Sequence, residues 1–491
     1  RLPAVLAFPL RVASEQMADQ DHSDNMSQGS NGVCASSCGA TKDIEAGKPV
    51  AENRLPTWKL VLSAIPWIGV QALWSTEFAI TTPYMKELGM TESLATLTWI
   101  FAPITGFITA PIVGSLSDRC ESRYGRRRPF ILFALVWLWL SSLLFASSRH
   151  LFPAPFAKWF ALLMFACVDV AVNLIQTPVR AIVSDVAGHD QQAVGQIISV
   201  LFQGFGNLLG FGIMRLWEVP SEHVFLLMVL VLGVLTAFIA IQMWVCEETP
   251  WVKPRDAPAA TVCTPLVNAF GAVTRMPADL VTLAFVQFCS WYALFCYLPS
   301  VSDWFSINVY AGDSRAPPGS ILRARHVQSQ STNTTAGLIN SVIMILFSVG
   351  LMLLMRRTRL PMRFCFSACL CVGAIALVMA KFLVGHSVAF AEVVVALMAV
   401  PVSGINAFPF ALVGLMNKRA QQEGRAPDTG VQMGVLNIFI CLPQIVATLV
   451  LGALRGRLGA DALPWGFFMA GVSFAVAAAG ALALNDRQAS K

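Results

Sequence analysis

Twelve separate apolar runs, most of them as long as the ~20 residues a helix needs to cross a bilayer, constrain this chain more than any other feature of its sequence. They fall at about 58–82, 94–116, 130–148, 158–183, 192–214 and 224–246, then at about 280–301, 336–355, 364–384, 388–416, 429–454 and 464–485. Within lipid every backbone N–H and C=O must be satisfied inside its own segment, so runs of this length read as helices. Composition agrees: 56% of residues are hydrophobic and 13% charged, against about 25% charged in an ordinary soluble domain. A soluble enzyme, a nucleic-acid binder and a disordered chain are excluded. The chain reads as an all-α polytopic membrane protein whose main partner is the lipid bilayer.

The runs divide six and six. Residues 58–246 hold the first six, a polar connection at 247–279 follows, and residues 280–485 hold the rest. Such a duplication is common in secondary transporters. Residues 1–57, rich in Ser, Asp, Gln and Gly, read as a disordered cytoplasmic tail, and 486–491 as a cytoplasmic C-terminus. The chain opens on Arg1, with Met17 and Met26 as candidate native starts. The apolar stretch Leu2–Val12 is too short to span and lacks a signal-peptide layout. Cys34 and Cys38 lie in the tail without a second ligand pair, so no metal site is read there.

Placing both termini in the cytoplasm puts about twice as many Lys and Arg on the inner loops as on the outer ones, as the positive-inside rule requires. The connection after the seventh run then faces outside. It carries Asn333-Thr334-Thr335, which makes Asn333 a candidate glycosylation site.

Glu77, Asp169, Arg180 and Glu392 fall inside the runs. A charge near the bilayer centre costs at least about 2.5–3.5 kcal/mol, so it normally faces a partner or a polar cavity. Asp169, Asn173, Gln176 and Arg180 recur at i, i+4, i+7 and i+11, one face of a helix. With about 1.5 Å rise per residue, the two charges stand roughly 16 Å apart along that stripe and cannot pair directly. The stripe reads as a lined pathway with a titratable acid, against a buried structural ion network. Glu77 shares a face with Trp74 and Thr81 and reads as a second titratable site, whereas Glu392, near His386, reads as interfacial. Pro178 is expected to loosen the end of its helix. Gln71, Trp74, Gln203, Asn207, Asn437 and Gln444 add amides and an indole, with Gly206 and Gly210 positioned for close helix packing. Amides both donate and accept, which suits a neutral polyhydroxylated ligand better than a strongly anionic one. No nucleophile–base set or metal cluster is found in the runs, so neither an enzyme nor a cofactor is read.

The loop between the second and third runs contains Asp118-Arg119 and Gly125-Arg126-Arg127-Arg128. Positive-inside anchoring explains the arginines. It does not explain Asp118 or the glycine, which suit a gate where helix ends bond in one conformation and part in another.

These residues resemble the sucrose/proton symporters, plant-type sucrose transporters together with the animal proton-associated sugar transporters, within the glycoside–pentoside–hexuronide:cation symporter group of the major facilitator superfamily. The matching stretches are Pro83-Tyr84, Pro103 to Gly106, Ser117 to Cys120 with Arg123 to Phe130, Asp169 to Asn173 with Gln176, Pro178, Arg180, Ala181 and Asp185, then Gly206-Asn207 to Gly210. In the second half they are Asp303-Trp304, Tyr310, Pro409 to Leu412, and Gly434 to Asn437 with Pro443-Gln444. The resemblance implies a twelve-helix major facilitator bundle of two six-helix halves. It implies proton coupling at Asp169, sugar binding at Arg180, and Asp185 as a member of the gate set. Glu77 stands where plant-like members carry Gln and animal-like members Glu. The chain departs from the plant-type pattern at Glu92, Val301, Ile307 and Asn308. The implied function is proton-coupled transport of sucrose or a related glucoside at a plasma membrane. An exporter of an internal membrane and a non-transporting sugar sensor remain open alternatives.

Overall fold

A helix occupies each of the twelve apolar runs in the computed structural model, which describes residues 55–186, 192–248, 267, 270–271, 273–358, 360–382, 387–422 and 429–485. Most of the expected N-terminal tail and of the central connection, and the expected C-terminus 486–491, lie outside the described residues. A short helix, Thr57–Ala64, leads into α1 (Pro66–Glu87), with Pro66 at the first helical turn where its missing N–H is harmless. The rest of the first six are α2 (Phe101–Asp118), α3 (Arg128–Ala146), α4 (Ala154–Val186), α5 (Gln192–Met214) and α6 (Val224–Val245). The second six are α7 (Ala278–Tyr297), α8 (Ile321–Arg357), α9 (Met362–Phe382), α10 (Val388–Gln422), α11 (Thr429–Leu458) and α12 (Ala462–Leu482). Together these twelve form one helical bundle, and the chain is an integral, multi-pass membrane protein.

Two of the departures from the sequence-based outlines bear on the site. α4 runs unbroken through Pro178. α8 starts fifteen residues earlier than the apolar run suggests, because Ser320 caps it by accepting the Arg323 N–H at 3.2 Å. Its 37 residues extend for roughly 55 Å, well beyond the ~30 Å hydrocarbon core. The long outer loop expected after the seventh run is therefore a short helix, Val301–Trp304, a π-helical turn, Phe305–Val309, and a brief connection. Asn333 falls mid-helix with 4% of its surface exposed. The glycosylation reading is corrected: a buried helical amide has no room for a glycan in this fold.

Without a hydrophobic drive between helices in lipid, close packing and interhelical hydrogen bonds hold the bundle, the latter at about 0.6 kcal/mol each. α5 lies directly on α1: a Cβ on Gly206 would overlap the Ile68 carbonyl oxygen and one on Gly210 would overlap Ser75 Oγ. The close approach read from these glycines is present. Gln242 of α6 donates to the Ser63 carbonyl at 2.5 Å, and Trp139 of α3 donates to Thr236 at 2.9 Å. Tyr84 of α1 donates to the carbonyls of Phe145 and Ala146 at the end of α3, at 3.2 and 3.1 Å, satisfying acceptors a helix terminus leaves free. In the second six, Asn340 reaches the Val395 carbonyl at 2.5 Å and Ser367 the Ala478 carbonyl at 2.9 Å.

The bundle has an arginine end, carrying the loop from Arg119 to Arg128, and a far end. Among the described residues, the hydrogen bonds and ion pairs crossing between the two sets of six lie in the far half or at mid-depth, from Asn207–Met344 outward.

Candidate functional site

At the arginine end all but one of the residues singled out from the loop form one cluster. Arg127 pairs with Asp118 at the end of α2, and with Asp185 of α4 at 3.1 Å. Its guanidinium also donates to Ser117 Oγ at 2.6 Å, and Arg126 reaches Asp185 at 2.7 Å. Gly125 has φ +110°, where a side chain would be strained, and a Cβ there would lie 2.7 Å from the Glu248 carboxylate. That carboxylate accepts the Arg127 backbone N–H at 2.7 Å, while Arg128 donates to the carbonyls of Met243 and Cys246 at the end of α6, both at 2.6 Å. The cluster therefore ties together the ends of α2, α3, α4 and α6. Arg119 is exposed and stands outside it. Glu248 and Arg128 were not in the expected gate set; an acid directly after an apolar run, facing an Arg-rich loop, is the signal that marks them.

Asp118→Ala is expected to slow cycling severalfold while leaving equilibrium ligand binding unchanged, because its carboxylate pairs with Arg127 and not with Asn173, Gln176 or Arg180 of the polar stripe. Its carboxylate is half-exposed, so stability should fall by no more than about 1 kcal/mol. Binding and turnover measured on the same purified protein check this, and lost binding in folded protein would contradict it.

The stripe on α4 is built as its spacing suggests. Asn173 donates to Thr105 of α2 at 3.2 Å and to the Asp169 carbonyl at 2.8 Å, and accepts from Gln176 at 2.6 Å. Gly106 leaves room for this amide, since a Cβ there would lie 3.1 Å from Asn173 Oδ1. Arg180, one turn further on, is solvent-exposed and lays its guanidinium over the Trp67 ring, 4.8 Å from the centroid, a cation–π contact. Asp169 and Glu77 are fully buried, and none of their four carboxylate oxygens has a hydrogen-bond partner. The two groups lie within electrostatic reach of one another. The stripe is thus open at the arginine end and closed at the far end. Arg180 does not pair with Glu77.

The remaining candidates are distributed around this stripe. Gln71 of α1 donates to Asn207 of α5 at 3.0 Å, and Asn207 approaches Met344 of α8 at 3.9 Å. Trp74 stacks on Phe78, centroids 5.7 Å apart. Gln203 lines a narrow cleft between the two sets of six with Ser348, Ser403 and Asn406. Asn437 accepts from the Cys441 thiol of its own helix at 3.9 Å. Gln444 is buried, and only its backbone carbonyl is engaged, by Thr448. These two are not brought into contact with the α4 stripe. Thr105 and Trp67 were missed, because a single hydroxyl or indole in an apolar run carries no pattern. No group of three or more potential metal ligands is found among the described residues.

Residues 63–306 match the family described as MFS/sugar transport protein. The chain is 28% identical over 442 residues to the sucrose transport protein SUT5 of Oryza sativa subsp. indica, covering 79% of this chain and 80% of that one. It is 24% identical over 480 residues to the sucrose transport protein SUC4 of Arabidopsis thaliana, covering 88% and 90%. In fold it is similar to a POT family transporter crystallised with 5-aminolevulinic acid, with a TM-score of 0.60 at 12% identity, covering 86% of this chain and 95% of that one. A bundle of twelve membrane helices, a buried polar stripe open at one end and these relatives together make the chain a multi-pass membrane protein similar, over most of its length, to sugar transporters of the major facilitator type.

Proposed function

We propose that the chain is a proton-coupled carrier of a sugar, sucrose or a related glucoside, working by alternating access at the plasma membrane with its arginine end and both termini cytoplasmic. One observation carries this reading: two unpartnered buried carboxyls, Asp169 and Glu77, at the closed end of a stripe whose open end presents Arg180 and amides. Leaving carboxylates buried and unpaired is costly, so a proton is the ligand that suits them. The guanidinium, indoles and amides suit sugar hydroxyls and ring faces. Protonation from the far side favours loading, and deprotonation at the arginine end favours release, because a ligand shifts an equilibrium only through its differential affinity for the two states. The glucoside assignment draws on what the sucrose transport relatives are named for. Uptake of labelled sucrose into proteoliposomes, with and without an imposed pH gradient, tests the proposal. Sugar binding without flux makes the chain a sensor, and flux indifferent to the gradient removes the coupling.

Arg180→Lys is expected to raise the half-saturating sugar concentration at least about tenfold. A point-like ammonium cannot reproduce the flat fork of a guanidinium that both stacks on Trp67 and donates in two directions. Concentration-dependent uptake checks this, and an unaltered dependence would reduce Arg180 to a counter-charge.

A further inference from the structure

The far end gives α1, α7 and α11 a common register. Lys86, Glu92, Asp303 and Arg455 form a ring of ion pairs there, with Lys86–Asp303 at 3.1 Å and Arg455–Asp303 at 2.7 Å. Two turns toward the arginine end, Phe78 packs edge-on against Phe295, with centroids 6.4 Å apart. Lys86 and Asp303 are 217 residues apart, as are Phe78 and Phe295, and also Trp74 and Trp291 one turn further in. The two tryptophans therefore stand at one depth, roughly 18 Å from the ring at about 1.5 Å per residue. Both are half-buried. Beside Trp291, α7 carries polar groups that no neighbour engages. Gln287 and Ser290 are 0% exposed, yet neither amide atom of Gln287, nor Ser290 Oγ, nor Trp291 Nε1 has a hydrogen-bond partner. Buried polar side chains are overwhelmingly hydrogen-bonded, so four unpaired atoms on one short stretch of helix are not explained by packing.

Their placement points to a ligand. α12 packs on the other side of α7, where the Cys289 carbonyl accepts from Ser473 at 2.9 Å and Tyr297 meets Phe467, centroids 5.7 Å apart. Gln287 and Trp291 occupy the face turned away from these contacts, and Phe295, one turn beyond Trp291, reaches α1. α11 brings Gln444 to a similar level: it shares a helical face with Arg455 and lies eleven residues in from it, roughly 16 Å from the ring. Gln444 is buried, with only its backbone carbonyl engaged. We propose that Gln287, Ser290 and Trp291 of α7, with Gln444 of α11, form a second carbohydrate subsite, which takes the aglycone ring of a disaccharide whose glucosyl ring lies on the α4 stripe. The proposal rests on reading the chain as a carrier of sucrose or a related glucoside. Each amide offers a donor and an acceptor to neighbouring hydroxyls, while the serine hydroxyl and the indole N–H add one group each. No protein group competes for these atoms on α7. A ring with matching hydroxyls gains their hydrogen bonds outright, whereas a ligand without them leaves the amide stranded. The subsite therefore selects a disaccharide over a simple glucoside.

The test measures equilibrium binding of two labelled probes, sucrose and the one-ring methyl α-glucoside, to the purified full-length protein. The parent is expected to bind sucrose at least about tenfold more tightly than methyl α-glucoside, as one or two extra hydrogen bonds supply. Gln287→Met keeps the side-chain volume and removes the amide. It should weaken sucrose by about tenfold or more and leave methyl α-glucoside unchanged. Because the amide has no protein partner, the variant should unfold at or above the parental temperature. Equal weakening of both probes overturns the subsite, and so does sucrose binding at parental strength. A clear fall in unfolding temperature also overturns it, since the amide then has a structural role. A parent that binds the two probes equally well has no second-ring site, and the glucoside reading stands without it. A parent that binds neither probe removes the glucoside reading and the subsite together.

Discussion

Asp169→Asn is expected to abolish sugar accumulation against a gradient while sparing sugar exchange. One proton moving down one pH unit releases about 1.4 kcal/mol, enough for about tenfold accumulation of a coupled solute. The amide has nearly the shape of the acid but cannot take up and release a proton within the cycle, so that tenfold per unit should fall to none. Asp169 has no protein donor on either carboxylate oxygen. The substitution therefore breaks no hydrogen bond, and a folding defect is not the expected cause of the loss. Counterflow of labelled sugar, which needs no net proton movement, should survive. Accumulation at the parental level in this variant would remove Asp169 from the coupling.

Glu77 should divide two roles that Asp169 combines. It is 1% exposed, shares the closed end of the stripe with Asp169 and likewise lacks any partner on its carboxylate. Glu77→Gln keeps a donor and an acceptor of the same size, so we expect sugar transport to continue. Transport driven from the far side should rise less steeply as that side is acidified, because one of the two neighbouring carboxyls no longer takes a proton. Glu77→Ala removes both the polar group and its volume, and transport should drop at least about tenfold. Buried truncations of this kind also cost about 2–5 kcal/mol of stability, so thermal unfolding of the purified variant must be followed beside uptake. If the Ala variant transports with parental rate, affinity and pH profile, Glu77 is a packing residue. If Gln uncouples sugar from protons entirely, it carries the coupling with Asp169 rather than modulating it.

The α4 stripe was legible because one helix carries it. Four polar residues at helical spacing in an apolar run declare a face, and the contacts of Asn173 with Gln176 and Thr105 follow that face. The loop cluster was legible for a similar reason, as its arginines and Gly125 are close in sequence. Its acceptor Glu248 was not, being 121 residues from Arg127. The far-end ring was read least well. In the sequence Lys86 and Arg455 look like any other Lys or Arg at the end of an apolar run, and Glu92 stands out only as a departure from a family pattern, because nothing local distinguishes a solvated terminal charge from one buried by a distant partner.

The start of α8 shows the same division. Arg323, Arg325, His326 and Asn333 look like loop in the sequence. Arg323 is in fact paired with Glu222 and Glu87 from the other half, and His326 meets Ser306 at 2.7 Å. Those contacts carry the helix into a region that hydropathy excludes, and they bury the Asn333 sequon. By itself the sequence determined the number of membrane helices, their apolar limits and the polar face of α4, since each depends on periodicity within one segment and on the cost of placing backbone or charge in lipid. Tertiary structure alone decided which end of the stripe is open, that Asp169 and Glu77 lie unpartnered in reach of each other, and that four charges from three distant segments close the far end. Those outcomes depend on how helices remote in sequence pack, and an ion pair between residues hundreds of positions apart leaves no local period to read.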